Sequence, residues 1–286
     1  MHPDFVEPTT LGDVCSLLAS RSEDSKVIAG GTAVVLMLQQ GLISPSRIVS
    51  IGRLMELDGI SATPDGLRIG ARMTLTDVAR APAVRAAAPA LANACAHVGN
   101  IRVRNVATLG GNLAEADYAS DPPTVLACLE ATCTVQGNSG RRTLPVRQLL
   151  ADFYTTTLDH DEVITDILVP RPASDERSIY LRYLSRSSED RPCVGVAARS
   201  RIAPDGSLAT LDIAVGAVAA APQLHSEVTE VVLGRRLDAR LVEQVAEGYA
   251  EAIGPLDDVR GTAWYRRKII AVLVRRALEE LRGGRA

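Results

Sequence analysis

The spacing of hydrophobic and polar positions changes several times along this chain, and each change marks a new element. From Leu11 to Leu18 apolar residues recur at helical spacing behind Thr10, a residue type that caps helices. Lys26-Val27-Ile28-Ala29 is a short apolar run that reads as a strand, broken by Gly30-Gly31-Thr32. Ala33 to Gln40 is almost continuously apolar and predicts a buried helix, with Gly41 placed to end it. Arg47 to Ile51 is the next strand, so residues 1 to about 55 form a strand–turn–helix–strand unit.

Residues 56 to about 174 are mixed. Gly66 to Ile69 reads as a strand, Thr74 with Asp77 as a capping box, and Pro89 to Val98 as a helix. After a strand-like run comes a glycine-rich stretch, ATLGGNLAEADYASDPP (107–123), and a helix begun by Pro122-Pro123 and running to Leu129. Thr132 to Gln136 and Glu162 to Val169 are strands, with Pro170 and Pro172 closing the region and SDERS following as a linker. Beyond it, Ile179–Leu184, Cys193–Arg201 and Ala209–Val218 predict antiparallel strands, and two helices follow at about Asp238–Ala252 and Ala263–Leu281. The last helix has one apolar face (Ile269, Ile270, Leu273, Val274, Ala277, Leu278, Leu281). Its other face carries Arg266, Arg267, Lys268, Arg275, Arg276, Glu279 and Glu280, a solvated side or a docking surface.

Composition narrows the function classes. A length of 286 residues predicts two or three subdomains, and 47% hydrophobic content is that of a chain with a real core. The net charge of −3 gives no global attraction to nucleic acid or to an anionic membrane. No apolar run has the length of a membrane span, and the N-terminal sequence lacks the basic-then-apolar order of a secretory signal, so a cytoplasmic location is expected. Five cysteines without C-x-x-C spacing read as reduced core residues, and the scattered histidines offer no metal-binding pattern, so no metal site is expected in this chain.

The candidate chemistry lies in two glycine pairs. Ala29-Gly30-Gly31-Thr32 leads into a helix, and Thr108-Leu109-Gly110-Gly111-Asn112 has the same design. Adjacent glycines permit positive φ and let main-chain N–H groups converge on an anion, and a helix start favours negative charge. Thr32, Thr108 and Asn112 add side-chain donors. Neither pair is a Rossmann G-x-G-x-x-G or a P-loop. Each pair alone reads most simply as a tight turn; two of them suggest one ligand with two phosphates. Glu115, Asp117 and Asp121 nearby are acceptors suited to hydroxyl or ring N–H donors, or, for Asp121, to capping the helix that follows.

VIAGGTAVVLM and ATLGGNLAEADYASDPP, separated as they are, resemble the FAD-binding (medium) subunit of the molybdenum hydroxylases, the xanthine dehydrogenase and carbon monoxide dehydrogenase family. The resemblance extends over essentially the whole chain. It implies an α+β fold in three parts: an N-terminal FAD-binding subdomain (1–55), a middle FAD-binding subdomain of the PCMH type (56–174), and a C-terminal α+β domain with an antiparallel sheet and helices (175–286), like that of carbon monoxide dehydrogenase flavoproteins. It implies FAD in this chain, with [2Fe-2S] clusters on a small partner subunit and molybdopterin on a large one, in a heterotrimer or its dimer. The function implied is electron transfer from those clusters to an external acceptor, with no catalytic residue of the chain's own.

By the same resemblance Val27, Ile28, Ala29, Gly30, Gly31, Thr32, Ala33 and Val34 form the first cofactor loop, and Thr108, Gly110, Gly111 and Asn112 the second. Asp121 and Asp117 contact the ligand, Glu115 faces solvent or a partner, and Val98 and Ile164 pack near the cofactor. Arg182 places a cation by the flavin ring or makes an ordinary strand ion pair. Two departures stand out: Tyr118 occupies a position where many relatives have proline, and no aromatic residue lies near Arg191-Pro192 to cover the flavin. A stand-alone flavin oxidoreductase of the same fold is the alternative, and a non-redox nucleotide-binding module is the alternative of another class.

Overall fold

Thr10 starts the first helix as predicted: its Oγ1 accepts the main-chain N–H of Asp13 at 3.2 Å and donates to the Asp13 carboxylate at 2.7 Å. The structure is a computed structural model that describes residues 3–20 and 24–283; the first two residues and the last three lie outside the described residues. Helix α1 (Leu11–Ser20) buries Leu11, Val14, Cys15 and Leu18, the i, i+3, i+4, i+7 stripe. Its partner is a three-stranded parallel sheet in which β3 (Arg47–Ser50) lies between β1 (Asp4–Val6) and β2 (Ser25–Ile28). Helix α2 (Val34–Gln39) differs from expectation: none of its residues is buried, and Val35 and Leu36 are 43% and 49% exposed. Val34, Met37 and Leu38 are half-buried, so its apolar side is covered only in part.

The middle region is built on a five-stranded antiparallel sheet in the order β4-β5-β10-β6-β7. Its strands are β4 (Ile60–Ala62), β5 (Gly66–Gly70), β6 (Thr132–Gly137), β7 (Gly140–Pro145) and the central β10 (Val163–Pro170). β10 is buried almost throughout, including Thr165 and Asp166, whose side chains are hydrogen-bonded to each other at 2.9 Å. Helices α3 (Leu75–Arg80), α4 (Pro82–Ala87) and α5 (Pro89–His97) bury Leu75, Val78, Val84, Leu91 and Cys95 in the same core. The Thr74–Asp77 capping box forms, with Asp77 N–H donating to Thr74 Oγ1 at 3.1 Å. The strand-like run before the glycines is helical instead: α6 (Ile101–Arg104) is capped by Asn100, whose Oδ1 accepts from Arg102 and Val103 N–H at 3.0 and 3.1 Å. Local capping thus outweighs the β-branched residues there. Next come α7 (Leu109–Glu115) and α8 (Asp121–Cys128), every residue of α8 being buried, and then α9 (Val146–Leu149). A small hairpin, β8 (Leu150–Asp152) and β9 (Thr155–Thr156), completes the region.

Residues 176–224 form a second antiparallel sheet, β11 (Glu176–Tyr183), β12 (Val194–Ile202), β13 (Leu208–Gly216) and β14 (Gln223–Leu224), in sequence order. β11 begins inside the SDERS stretch read as a linker. One face of this sheet receives α8; the core beyond it is shared with α11 (Ala239–Ala252) and α12 (Ala263–Gly283), which follow the short α10 (Ser226–Glu230). The predicted apolar stripe of α12 is inside, but Arg266, assigned to the charged face, is fully buried. Its guanidinium donates to the carbonyls of Cys193 and Ala217 and pairs with Asp258, so hydrogen bonds on every side make its burial tolerable. All five cysteines are buried and unpaired. Among the described residues no helix is long and apolar enough to cross a membrane.

Candidate functional site

The two glycine bends, about eighty residues apart in the chain, meet in the structure. Gly30 is pressed against the backbone before the second bend: a Cβ built there would lie 1.7 Å from the Val106 carbonyl oxygen. A Cβ on Gly111 would lie 2.7 Å from Thr108 Oγ1 and 3.9 Å from the Ala29 Cβ. Lys26 of β2 also bears electrostatically on half-buried Glu115 at the end of α7; burial raises that carboxyl above its ordinary range and Lys26 opposes the rise.

The bends are not equivalent. Gly31 adopts φ +73°, a left-handed conformation that glycine takes without strain. Among the described residues no acceptor receives the main-chain N–H of Gly30, Gly31, Thr32, Ala33 or Val34, and no side chain caps α2. Five consecutive donors are therefore left for a ligand. In the second bend the main-chain donors from Leu109 to Asn112 are all used, Asn112 N–H donating to the Thr108 carbonyl at 2.9 Å. Leu109 and Gly110 N–H donate to the Met73 and Ala71 carbonyls, each at 2.9 Å. Gly111 N–H donates to Thr108 Oγ1 at 3.1 Å, because Thr108 is the N-cap of α7. Neither Gly110 nor Gly111 takes a positive φ. The second bend contributes a bare, exposed Cα surface at Gly111 rather than an amide nest. Asn112, expected as a donor, bonds to Ser120 at 2.8 Å and so ties the start of α7 to the residue before Asp121.

The carboxylates that follow are held by two arginines, Arg182 of β11 and Arg191 of the loop between β11 and β12. Asp117 is buried; its Oδ1 accepts Ala119 N–H at 3.1 Å and its Oδ2 pairs with Arg191. Asp121 is 3% exposed and makes no capping bond. It accepts from the Tyr180 hydroxyl at 2.7 Å and pairs with Arg182 at 3.3 Å. Burial pushes the Asp121 carboxyl up, while Arg182 and the Tyr180 hydroxyl oppose this. Arg182 also donates to the carbonyls of His97 and Ser188 at 2.8 and 2.9 Å, which seats it beside half-buried Val98 at the end of α5.

The predicted residues, drawn from separate stretches of the chain, thus form two groups. Val27–Val34 and Thr108–Asn112 make a floor, and Asp117, Asp121, Arg182 and Val98 lie beyond it. Ile164 is 4% exposed and packed in the core of the five-stranded sheet, away from open surface. Sequence reasoning missed Tyr180 and Arg191. Tyr180 was within reach, because it shares a sheet face with Arg182 two residues on; Arg191 lies in a loop and carries no periodic signal.

With this geometry in view, comparison with known proteins is direct. Residues 2–172 match the FAD binding domain in molybdopterin dehydrogenase, and residues 179–281 match the CO dehydrogenase flavoprotein C-terminal domain. The chain is 32% identical over 276 residues to the nicotine 6-hydroxylase medium subunit of Paenarthrobacter nicotinovorans, covering 96% of each. It is 30% identical to the glyceraldehyde dehydrogenase medium chain of Sulfolobus acidocaldarius, covering 98% of this chain and 100% of the other. Among solved structures, carbon monoxide dehydrogenase from Hydrogenophaga pseudoflava superposes with a TM-score of 0.93 at 29% identity, covering 98% of this chain and 96% of that one. Quinoline 2-oxidoreductase from Pseudomonas putida 86 gives 0.93 at 28% identity, covering 99% and 98%. An FAD binding domain followed by a carbon monoxide dehydrogenase flavoprotein C-terminal domain, with paired glycine bends in the first, places this chain among the FAD-binding medium subunits of the molybdenum hydroxylases, an oxidoreductase family.

Proposed function

We propose that the chain holds FAD extended over the junction of residues 1–55 and 56–174, braced by residues 175–286. In this reading it passes electrons from [2Fe-2S] clusters on a small partner subunit to an external acceptor, while a large molybdopterin subunit handles the substrate. The observation that supports it most is the run of free amides from Gly30 to Val34 facing the bare backbone of Gly111. Converging main-chain N–H groups favour an anion, and the diphosphate of FAD is one. When bound, FAD supplies the exchange between single electrons and two-electron acceptors.

The chain's own residues then divide the work. The amides of residues 30–34 hold the diphosphate, with the Thr32 hydroxyl at the rim, and Thr108 fixes the second bend by capping α7. Val27, Ile28 and Val98 give apolar contact, and Ile164 supports the site from beneath. Asp117 and Asp121 present carboxylate oxygens to sugar or ring donors, each held in place by its arginine. Arg182 keeps a positive charge where reduction of the ring adds negative charge. No nucleophile or acid–base pair is assigned.

The assembly is a cytoplasmic heterotrimer or its dimer. Expressed alone, the chain carries FAD without iron or molybdenum; purified from its native cells, it brings both metals with it. A flavin-loaded chain that leaves those cells free of iron and molybdenum contradicts the proposal and favours a stand-alone flavin enzyme.

A further inference from the structure

We propose that Tyr118 is a positioning residue through which the C-terminal domain fixes the cofactor turn. The inference rests on the FAD reading above and goes beyond it by naming what holds Asp117 and Asp121 in place.

Three observations carry it. The Tyr118 hydroxyl donates to Asp258 Oδ2 at 2.8 Å and accepts from Arg260 Nη2 at 2.8 Å, both partners more than 130 residues further along the chain. Only a neutral phenol can do both at once, and burial together with the Asp258 bond raises its pKa above the ordinary phenol value. The Arg260 guanidinium also lies over the Tyr118 ring, 5.3 Å from its centroid. Second, the far side of this latch is rigid. Asp258 pairs with Arg266, which is fully buried and bonded to two further carbonyls. Third, the near side is tight. Ala116 is left-handed at φ +49°, Tyr154 N–H donates to the Ala116 carbonyl at 3.1 Å, and Ser120 N–H donates to the Asp117 carbonyl at 2.9 Å. Ala217 N–H of the C-terminal domain donates to the Tyr118 carbonyl at 3.2 Å, and the Tyr118 ring meets Phe153 and Tyr154 edge-on at 5.1 and 6.0 Å.

Tyr118 is therefore the tip of a turn whose neighbours on either side carry the site carboxylates, and its phenol joins that tip to a buried charge cluster in another domain. Loss of the hydroxyl takes the hydrogen bond from Asp258 Oδ2, leaving that oxygen only its 3.3 Å ion pair with Arg260, removes the acceptor of one Arg260 N–H, and frees the turn to shift Asp117 and Asp121.

The test compares FAD dissociation constants and the visible circular dichroism of bound flavin in wild type, Tyr118→Phe, Arg260→Met and the double variant, with melting temperature recorded alongside. Tyr118→Phe keeps the ring contacts and removes only the hydroxyl. The expected result is FAD binding weakened about tenfold, the scale of a hydrogen bond to a charged group, with an altered flavin dichroism and no further loss in the double variant. Unchanged affinity and dichroism overturn the proposal, also when the melting temperature falls, because the latch is then structural only. If Tyr118→Phe does not fold, Arg260→Met supplies the same comparison from the other side. Gly111→Val separates the two levels. Normal FAD binding in that variant overturns the cofactor reading and this inference with it; loss of FAD there beside an unaffected Tyr118→Phe overturns this inference alone.

Discussion

Asp121 shows how a side chain's partners change what its substitution means. As a free carboxylate at the edge of a ligand site, its truncation to alanine weakens cofactor binding and leaves the fold alone. In the structure it is buried against Arg182 and Tyr180. Asp121→Ala leaves a nearly buried guanidinium without its counter-charge, a change that costs about 3 kcal/mol or more. We expect urea unfolding to show that loss in the FAD-free protein, with weakened FAD binding in addition. Gly30 is the converse case. Any Cβ there collides with the Val106 carbonyl, so Gly30→Ala forces the two bends apart and should lower both the melting temperature and FAD retention. The glycine pairs were legible in the sequence because no other residue permits such approach. The pairing of Asp121 with Arg182, 61 residues later, was not, since nothing local encodes which strand lies against which helix.

Among the elements, those with strong local signals emerged where the sequence placed them: α1 behind its Thr10 cap, α3 behind the Thr74–Asp77 capping box, and the amphipathic α11 and α12. Errors came where burial depends on a neighbour. The apolar run of α2 predicted a buried helix, yet the chain covers it only in part: Val34, Met37 and Leu38 are half-buried and Val35 and Leu36 are exposed. Arg266 lies at a position that periodicity alone assigned to the charged face, and only the carbonyls of Cys193 and Ala217 explain its place inside. Arg275, from the same face, is paired with Glu243 of α11, which leaves less free positive charge for docking than the sequence suggested.

The β6–β7 hairpin gives a prediction in pH. Arg142 of β7 forms a two-pronged bond with Glu162, just before β10, and holds that carboxyl below its ordinary range. The folded chain therefore binds fewer protons at this site than the unfolded one. The stability the pair supplies is complete above the ordinary carboxylate range and is lost as pH falls through the lowered folded value. The melting temperature of Arg142→Ala should lie below wild type at neutral pH, and the gap should close on acidification. A gap that is constant with pH contradicts the assignment.

At the scale of the whole molecule, the three larger sheets are joined by one stretch of chain. Residues 107–128 pass the first bend, carry both site carboxylates and end as the buried helix α8, which packs on β12 and β13 of the four-stranded sheet and on α5 and α9 of the middle region. That continuity explains why so much of the site concentrates in a short segment, and why arginines of β11 and of the loop after it complete it. The central claim is that the two glycine bends clasp the cofactor, and the FAD content of purified Gly111→Val, set against wild type, tests it most directly. The account predicts a variant that melts cooperatively, as wild type does, but retains almost no flavin absorbance. A folded variant with the full wild-type complement of FAD contradicts it.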